Sequence, residues 1–316
     1  ALVGNGGAPR ASIFMGKGDK ESAEQTLGNC FTTQIVVSLL LTLILFTGNK
    51  SFLMAFGASE NTIPYAVAYM NIYSLGTIFV QLTLGMNAFI TAQGFAKTSM
   101  LSVLVGAASN IILDPIFIFA LGMGVKGAAL ATVASEFIGG LTPLLYFLRK
   151  NNSSLQLCRT RIQPRIMIKT CTNGSSEFMT NISMSLVNML YNFQLMRIAG
   201  ENGIAAYGVI MYVSFIFCAM FIGYSVGCAP LIGYNYGAEN YPELKNLFHK
   251  SLKLVGCAGV CLAILANLLS APLASLFVGY DDALFALTVH GFRIYSLAFL
   301  LNGFSIFGSA FFTALN

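Results

Sequence analysis

Eight predominantly apolar runs, at 25–47, 65–93, 98–121, 125–148, 167–198, 204–233, 246–268 and 285–314, constrain this chain more than any other feature of it. A helix of about 20 apolar residues crosses the hydrocarbon core of a bilayer. No water is available there to hydrogen-bond the backbone, so each run has to satisfy its own N–H and C=O groups as an α-helix. Composition agrees: 56% of residues are hydrophobic and 9% charged, against about 25% charged in soluble domains. The fold class is all-α integral membrane. A helix tail at 1–15 precedes the first run, and the opening Ala1-Leu-Val-Gly-Asn-Gly-Gly-Ala-Pro9 has no basic n-region, so it does not read as a signal peptide.

The polar links orient the helices. Threaded alternately, loops 10–20, 94–97, 149–169 and 234–253 share one side and carry thirteen of the 17 Lys and Arg residues. The other side carries Lys50, Lys126 and Arg197, and Arg293 lies within a run. By the positive-inside rule the thirteen are cytoplasmic. The net charge of +5 is thereby explained without nucleic acid. The longest polar link, Arg149 to Arg165 with Lys169 just beyond, is the candidate boundary between halves. The seven cysteines (30, 158, 171, 218, 228, 257, 261) are scattered without a CxxC and read as small buried residues.

The halves repeat. Ala8-Pro9, Gly16 and Phe56 recur 221 residues later as Ala229-Pro230, Gly237 and Phe277. After one inserted residue, Ile72-Tyr-Ser-Leu75 recurs as Ile294-Tyr-Ser-Leu297, and Ala88-Phe-Ile-Thr-Ala92 as Ala310-Phe-Phe-Thr-Ala314. Both copies put their matching loops on the cytoplasmic side, so the repeat is parallel, with six spans per unit. Parallel repeats related by an axis along the membrane normal are a transporter architecture, with the path between the halves.

Within the run 98–121 stands Asn110-Ile-Ile-Leu-Asp-Pro115. A carboxylate at the centre of hydrocarbon costs roughly 2.5–3.5 kcal/mol, so Asp114 has to face a bundle interior or a wet cavity. Asn110 is four residues earlier on the same helix face. Pro115 lacks an N–H and crowds the Ile111 carbonyl, which loosens the backbone beside the acid. Such a pair either joins helices or binds a cation or proton. Asp114 and Thr132 each lie nine residues from Met123, at matching depth, about 13 Å from the outer turn. Asn87 sits about 12 Å from the inner turn near Phe95, against roughly 22 Å for Asn110.

Other polar residues in the runs are candidates too. Glu177, Asn181, Ser185, Asn188 and Asn192 form one stripe at spacings of four, four, three and four, either bonding helices together or lining a substrate cavity. Glu136 lies one turn from Thr132 and reads as a substrate or relay acid, or as a carboxyl kept neutral by burial. Arg293 is expected to latch onto an acid or backbone carbonyls. His249 is expected in a loop and His290 near a helix start, both with surface roles. The 13 Met and 26 Phe suit adaptable packing and a promiscuous cavity.

Several motifs together resemble the multidrug and toxic compound extrusion (MATE) family, in its DinF-type branch. They are Gly7-Ala-Pro-Arg-Ala-Ser12 with Gly16-Lys-Gly-Asp-Lys-Glu-Ser-Ala23, Asn110-Ile-Ile-Leu-Asp-Pro115, Gly127-Ala-Ala-Leu-Ala-Thr132 and Ile232-Gly-Tyr-Asn-Tyr-Gly-Ala238. The resemblance implies two parallel six-helix repeats, of which this chain holds the tail of helix 2 to helix 10. It divides the chain into an N-lobe (1–150), a cytoplasmic loop (151–166) and a C-lobe (167–316). By the repeat, roughly 50–70 residues precede Ala1 and at least two spans follow Asn316 in the native protein. The resemblance also implies a cation or proton site at Asp114, Asn110 and Thr132, with Asn87 nearby. Glu177, Asn181, Asn188 and Glu136 are the expected substrate-cavity residues.

The function so implied is secondary active export of amphiphilic or cationic organic compounds in exchange for Na⁺ or H⁺. No cofactor is expected, and no metal beyond a Na⁺ at Asp114. The expected partners are small organic substrates and membrane lipid, and the expected state is a monomer in a bacterial plasma membrane. The rival reading is a lipid-linked oligosaccharide flippase of the same superfamily, which wants a cavity rich in Arg and Lys. A membrane-embedded enzyme needs metal ligands or a base–nucleophile pair in the runs, and a passive scaffold has no use for buried acids.

The threading makes a topology prediction. In a Cys-free background, single Cys reporters at Lys17, Arg159 and Lys245 are expected to resist an impermeant thiol reagent on intact cells. Reporters at Lys50 and Arg197 are expected to react. Labelling at 159 with protection at 50 would reverse the orientation.

Overall fold

The computed structural model describes residues 2–55, 60, 62–149, 153–157 and 160–315. Phe56, Lys150, Cys158 and Arg159, all used above, lie outside the described residues. After α1 (Leu2–Gly16) come α2 (Lys20–Ala55), α3 (Ile63–Ala92), α4 (Ala96–Pro115) with a π-helical turn (Ile116–Ala120), and α5 (Gly124–Leu148). Then follow α6 (Pro164–Gly237), α7 (Tyr241–Leu268), a short α8 (Ser270–Val278), and α9 (Asp282–Tyr295), which a 3-10 turn joins to α10 (Phe299–Leu315). Among the described residues there is no strand, and seven helices are long and apolar enough to cross a membrane. The 74-residue α6 breaks at Gly200 (φ 63°, ψ −152°) into two arms, which correspond to the runs 167–198 and 204–233. The protein is an all-α, multi-pass membrane protein.

Chain contacts divide it into unit 1, Ala1–Ser175, and unit 2, Ser176–Asn316. In unit 1, α2 and α3 run antiparallel. The Asn49 amide bonds Asn71 Oδ1, and Thr42 Oγ1 donates to the Ser74 carbonyl at 3.0 Å. Leu27, Met86, Phe89 and Ile90 fill its core. Small residues admit the remaining helices: a Cβ on Gly4 would stand 2.8 Å from the Gly85 Cα, so α1 and α3 touch backbone to backbone. Close approach of this kind supplies packing where apolar side chains gain nothing by leaving an equally apolar solvent. Unit 2 builds its core from Phe221, Phe299, Phe307 and Phe311 around Ile232 and Val255. The short α8, which no apolar run announced, buries Ala274 and Val278 against Ala206 and Leu284.

The repeat survives at the level of single hydrogen bonds. α1 ends in a turn where Gly18 N donates to Met15 O (3.1 Å) and Asp19 N to Phe14 O (2.9 Å). At the end of α6, Glu239 N donates to Tyr236 O (3.2 Å) and Asn240 N to Asn235 O (2.9 Å). Every one of these residues is displaced by 221. This is the Schellman arrangement, which needs a left-handed residue just past the helix; that residue is Gly18 (φ 75°) in one copy and Glu239 (φ 56°) in the other. The next residue caps the following helix in both copies. Asp19 Oδ1 accepts from Ser22 N at 3.0 Å, and Asn240 Oδ1 from Glu243 N at 3.4 Å. Bonds from the Ser22 hydroxyl and then its amide, helped by Lys17, hold the Asp19 carboxyl below its ordinary range.

By chain contacts the polar link 153–157 and 160–163 and the first turns of α6 fall in unit 1. Several expectations need correction. Arg10 lies inside α1, buried, with its guanidinium 5.9 Å from the Phe14 ring centroid. Lys50 sits on the last turns of α2. His249 is on α7, its Nδ1 2.7 Å from the Lys245 carbonyl, because that helix starts at Tyr241, before its apolar run. Among the described residues Arg293 donates to the Ser270 hydroxyl (3.4 Å) and not to an acid or a carbonyl. Cys257 and Cys261 are exposed, not buried.

The paired turns can be tested against each other. A left-handed L-residue costs about 1–2 kcal/mol, partly offset because glycine also loosens the unfolded chain. Gly18→Ala is expected to lower stability by about 1 kcal/mol and Glu239→Gly to leave it unchanged or raise it. Thermal unfolding in detergent reads both.

Candidate functional site

Five of the expected site residues fall on three helices of unit 1. Along α4, Ser102, Gly106, Asn110 and Asp114 recur every fourth residue and are buried or half-buried, while Leu101, Leu104, Ile111 and Ile112 are 52–72% exposed. The polar and small face turns inward and the apolar face outward, as hydrocarbon demands. Beyond Asp114 the helix holds its α form through Pro115 and then widens, with Leu121 N reaching back to Ile116 O at 2.9 Å. The loosening that proline was expected to cause therefore lies on its C-terminal side. Wide turns of this type recur at functional sites.

Two close approaches set the register of α4 against α5. A Cβ on Gly106 would stand 3.4 Å from the Gly139 Cα, and one on Gly127 only 2.6 Å from the Phe117 carbonyl. With 106 facing 139 and 117 facing 127, Asp114 is level with residues 130–131. Thr132 is then offset from Asp114 by only about 2 Å along the axis. Its hydroxyl donates to Ala128 O (2.9 Å) and reaches the Tyr69 hydroxyl on α3 at 3.5 Å. Asp114 Oδ1 is buried and has no hydrogen-bond partner. A buried polar atom left unbonded is costly, and among the nine such side-chain atoms in the described residues this is the one on a carboxylate.

One turn further, half-buried Glu136 comes within electrostatic reach of Tyr73. The Tyr69 and Tyr73 rings stack, centroids 5.9 Å apart and 22° between planes. An offset of 63 relates Tyr69 to Thr132 and Tyr73 to Glu136, so the parallel helices α3 and α5 carry two rungs of a ladder. Sequence reasoning missed both tyrosines. Their i, i+4 spacing on the run that also carries Asn87 was the available signal.

Asn87 does not join this group. Its Oδ1 accepts from the Ser102 hydroxyl at 2.9 Å, and with 87 opposite 102 the level of Asn110 falls at residue 79. The eight-residue difference is about 12 Å of depth. Asn87 is a buried amide joining α3 to α4, too far along the bundle to share an ion with Asp114.

In unit 2 the polar stripe of α6 largely bonds to itself. Asn181 Nδ2 donates to Glu177 O (2.8 Å) and Ser185 Oγ to Asn181 O (3.1 Å). Asn188 reaches beyond its own arm, accepting from the Tyr207 hydroxyl at 2.9 Å, and Tyr207 stacks on Tyr191 with centroids 5.3 Å apart. The Glu177 side chain is half-buried.

The MatE family model matches residues 1–116 and 178–316. The chain belongs to this family. Among its relatives, a protein of Staphylococcus haemolyticus named multidrug export protein MepA is 30% identical over 246 residues, 78% of this chain and 54% of that protein. The protein of the same name from Staphylococcus saprophyticus is 26% identical over 304 residues, 96% of this chain and 66% of its own length. The chain thus spans a half to two-thirds of these curated relatives. A structure of MATE in the bent conformation superposes with a TM-score of 0.93 at 22% identity, covering 99% of this chain and 70% of that one. An outward-facing multidrug resistance MATE transporter matches as well, at 0.93 and 21%. These likenesses establish the MatE fold.

The reassignment of Asn87 carries a prediction. Asn87→Ala and Ser102→Ala are each expected to destabilise the protein, with a coupling in the double mutant of about 0.6 kcal/mol, typical of interhelical bonds in lipid. A thermal-shift mutant cycle in detergent reads it.

Proposed function

We propose that the protein is a multidrug exporter that moves amphiphilic, often cationic compounds out of the cell in exchange for Na⁺ or H⁺ bound at Asp114. The observation that carries this is the buried Asp114 Oδ1 without a partner, level with the Thr132–Tyr69 hydroxyl pair and beside the widened turn at Ile116–Ala120. One carboxylate with neutral Asn, Thr and Tyr oxygens suits a proton or a hard alkali cation; among the described residues no cluster of His, Cys and acids offers a transition-metal site. The names of the Staphylococcus relatives support the export direction and the breadth of substrates.

Each residue then has a role. Asp114 exchanges charge, Asn110 and Thr132 donate neutral oxygens, and Tyr69 orients the Thr132 hydroxyl. Glu136, with the stacked Tyr69 and Tyr73 faces, attracts the cationic part of a substrate. Glu177, Asn181 and Asn188 are polar lining in unit 2. Proton and Na⁺ compete for Asp114, and ion and substrate must each favour a different state of one two-state equilibrium for the gradient to drive export.

The test is efflux of a fluorescent cation by the full-length protein in proteoliposomes under an imposed Na⁺ or H⁺ gradient. Asp114→Asn is expected to preserve folding and abolish gradient-driven efflux. Asn110→Ala is expected to weaken ion dependence, and Thr132→Ala to do so less. If Asp114→Asn couples as well as the wild type, the carboxyl is structural and the coupling site lies elsewhere.

A further inference from the structure

The polar link after α5 is fastened to the rest of unit 1, and among the described residues its fastenings use almost no charge. Leu155 is fully buried in the core of unit 1. Gln93 Oε1 accepts from the Ser153 hydroxyl and from Leu155 N, the latter at 3.0 Å. Asn29 grips the far end from both sides, donating to the Arg161 carbonyl at 3.3 Å and accepting from Gln163 N at 2.7 Å. Gln163 Nε2 adds a bond to Gln25 at 3.2 Å. The one acidic anchor, Glu24, accepts from Gln156 N (3.1 Å) and pairs with Lys20 (3.7 Å). These anchors sit at the cytoplasmic ends of α2 and α3, so the segment is a strap across the inner end of unit 1.

What the strap leaves over is cationic. No acid occurs between Glu136 and Glu177, a stretch holding six Lys and Arg residues. Arg149, Arg161, Arg165 and Lys169 are exposed, and none has a carboxylate within salt-bridge distance among the described residues. Between them lie bare aliphatic side chains, Ile162 at 61% and Ile168 at 63% exposure. Arg165, Ile168 and Lys169 occupy one face of α6, at i, i+3 and i+4, and the pinned Arg161 carbonyl fixes where that face begins. The positive-inside rule accounts for the number of charges. It does not call for pinning them in place with apolar residues interleaved.

We propose that Arg161, Arg165 and Lys169, with Ile162 and Ile168 between them, form a docking face for the headgroups of anionic phospholipids in the cytoplasmic leaflet. Charge complementarity argues for this occupant: guanidiniums bond a phosphate diester, and basic residues on a cytoplasmic interfacial helix attract anionic lipid. The isoleucines fit the acyl boundary just beneath the phosphates, a position no soluble polyanion would reward.

The chain contains no Trp, which makes a fluorescent reporter at this face clean. Ile168→Trp is introduced into the full-length protein, any Trp in the remaining chain being replaced, and reconstituted in phosphatidylcholine–phosphatidylglycerol vesicles in which one lipid at a time is brominated. Quenching by brominated phosphatidylglycerol is expected to exceed that by brominated phosphatidylcholine at least about two-fold at equal fraction, the preference fading with salt. Arg161→Gln/Arg165→Gln/Lys169→Gln in the reporter background is expected to abolish the preference. Arg161→Lys/Arg165→Lys is expected to retain it, which separates loss of charge from misfolding. A second reporter, Phe119→Trp at the other end of α4, is expected to show no preference. Equal quenching by the two lipids, a preference that survives neutralisation, or no quenching by either, as for a face occupied by protein or a soluble polyanion, overturns the proposal.

Discussion

In hydrocarbon the backbone has to bond to itself, and every departure from a continuous helix has to be covered by protein. That constraint explains why this chain is helical almost throughout and why its irregular places are informative. Among the described residues the α ladder departs within the spans after Pro115, where five residues adopt the wider π form, and at the 3-10 turn Ser296–Ala298; between two spans it breaks at Gly200, where φ turns positive. The first lies next to the one carboxylate on α4. The orphaned Asp114 oxygen sits beside that widened turn, one residue before Pro115. Sequence and geometry coincide at the same spot, which is where a functional site is expected to break local rules.

Lipid also alters what holds the helices together. Leu and Phe gain no hydrophobic free energy by facing one another instead of acyl chains, so contact comes from close backbone approach and from polar bonds. Unit 1 shows both. Gly4 meets Gly85 and Gly106 meets Gly139, and Asn49–Asn71 and Ser102–Asn87 tie adjacent helices. These contacts fix the register that brings Asp114 level with Thr132 and keeps Asn87 about 18 Å from Asp114 in depth. The same polar residue type thus serves packing at one depth and lies within a candidate ion site at another.

This is also why the site was only partly legible beforehand. The spans announced themselves because about 20 apolar residues in a row admit few other readings. The repeat announced itself through residues matching at an offset of 221, and the structure shows why those positions match: the turns after α1 and α6 share the same endings and caps. Helix ends beyond the apolar core, such as those of α2 and α7, ran past the expected limits because polar residues continue a helix as readily as apolar ones. The pairing of Tyr69 with Thr132, the burial of Leu155 and the placement of α8 depend on contacts between segments far apart in sequence. Beyond the i, i+4 spacing of Tyr69 and Tyr73, composition and spacing carry no trace of those.

The Glu239 turn shows how a repeat can be used to detect strain. In the first copy a glycine occupies the left-handed position; in the second an L-residue is forced into it, at a cost of about 1–2 kcal/mol. The two turn bonds match within 0.1 Å, Gly18 to Met15 at 3.1 Å against Glu239 to Tyr236 at 3.2 Å, while the cap bond after the turn lengthens from 3.0 to 3.4 Å, so the turn itself has not relaxed to accommodate the side chain. The rest of the turn therefore over-determines its shape: the helix ending on one side and the cap on the other leave the middle residue no choice of backbone. An internal copy supplies the unstrained reference that a single turn lacks.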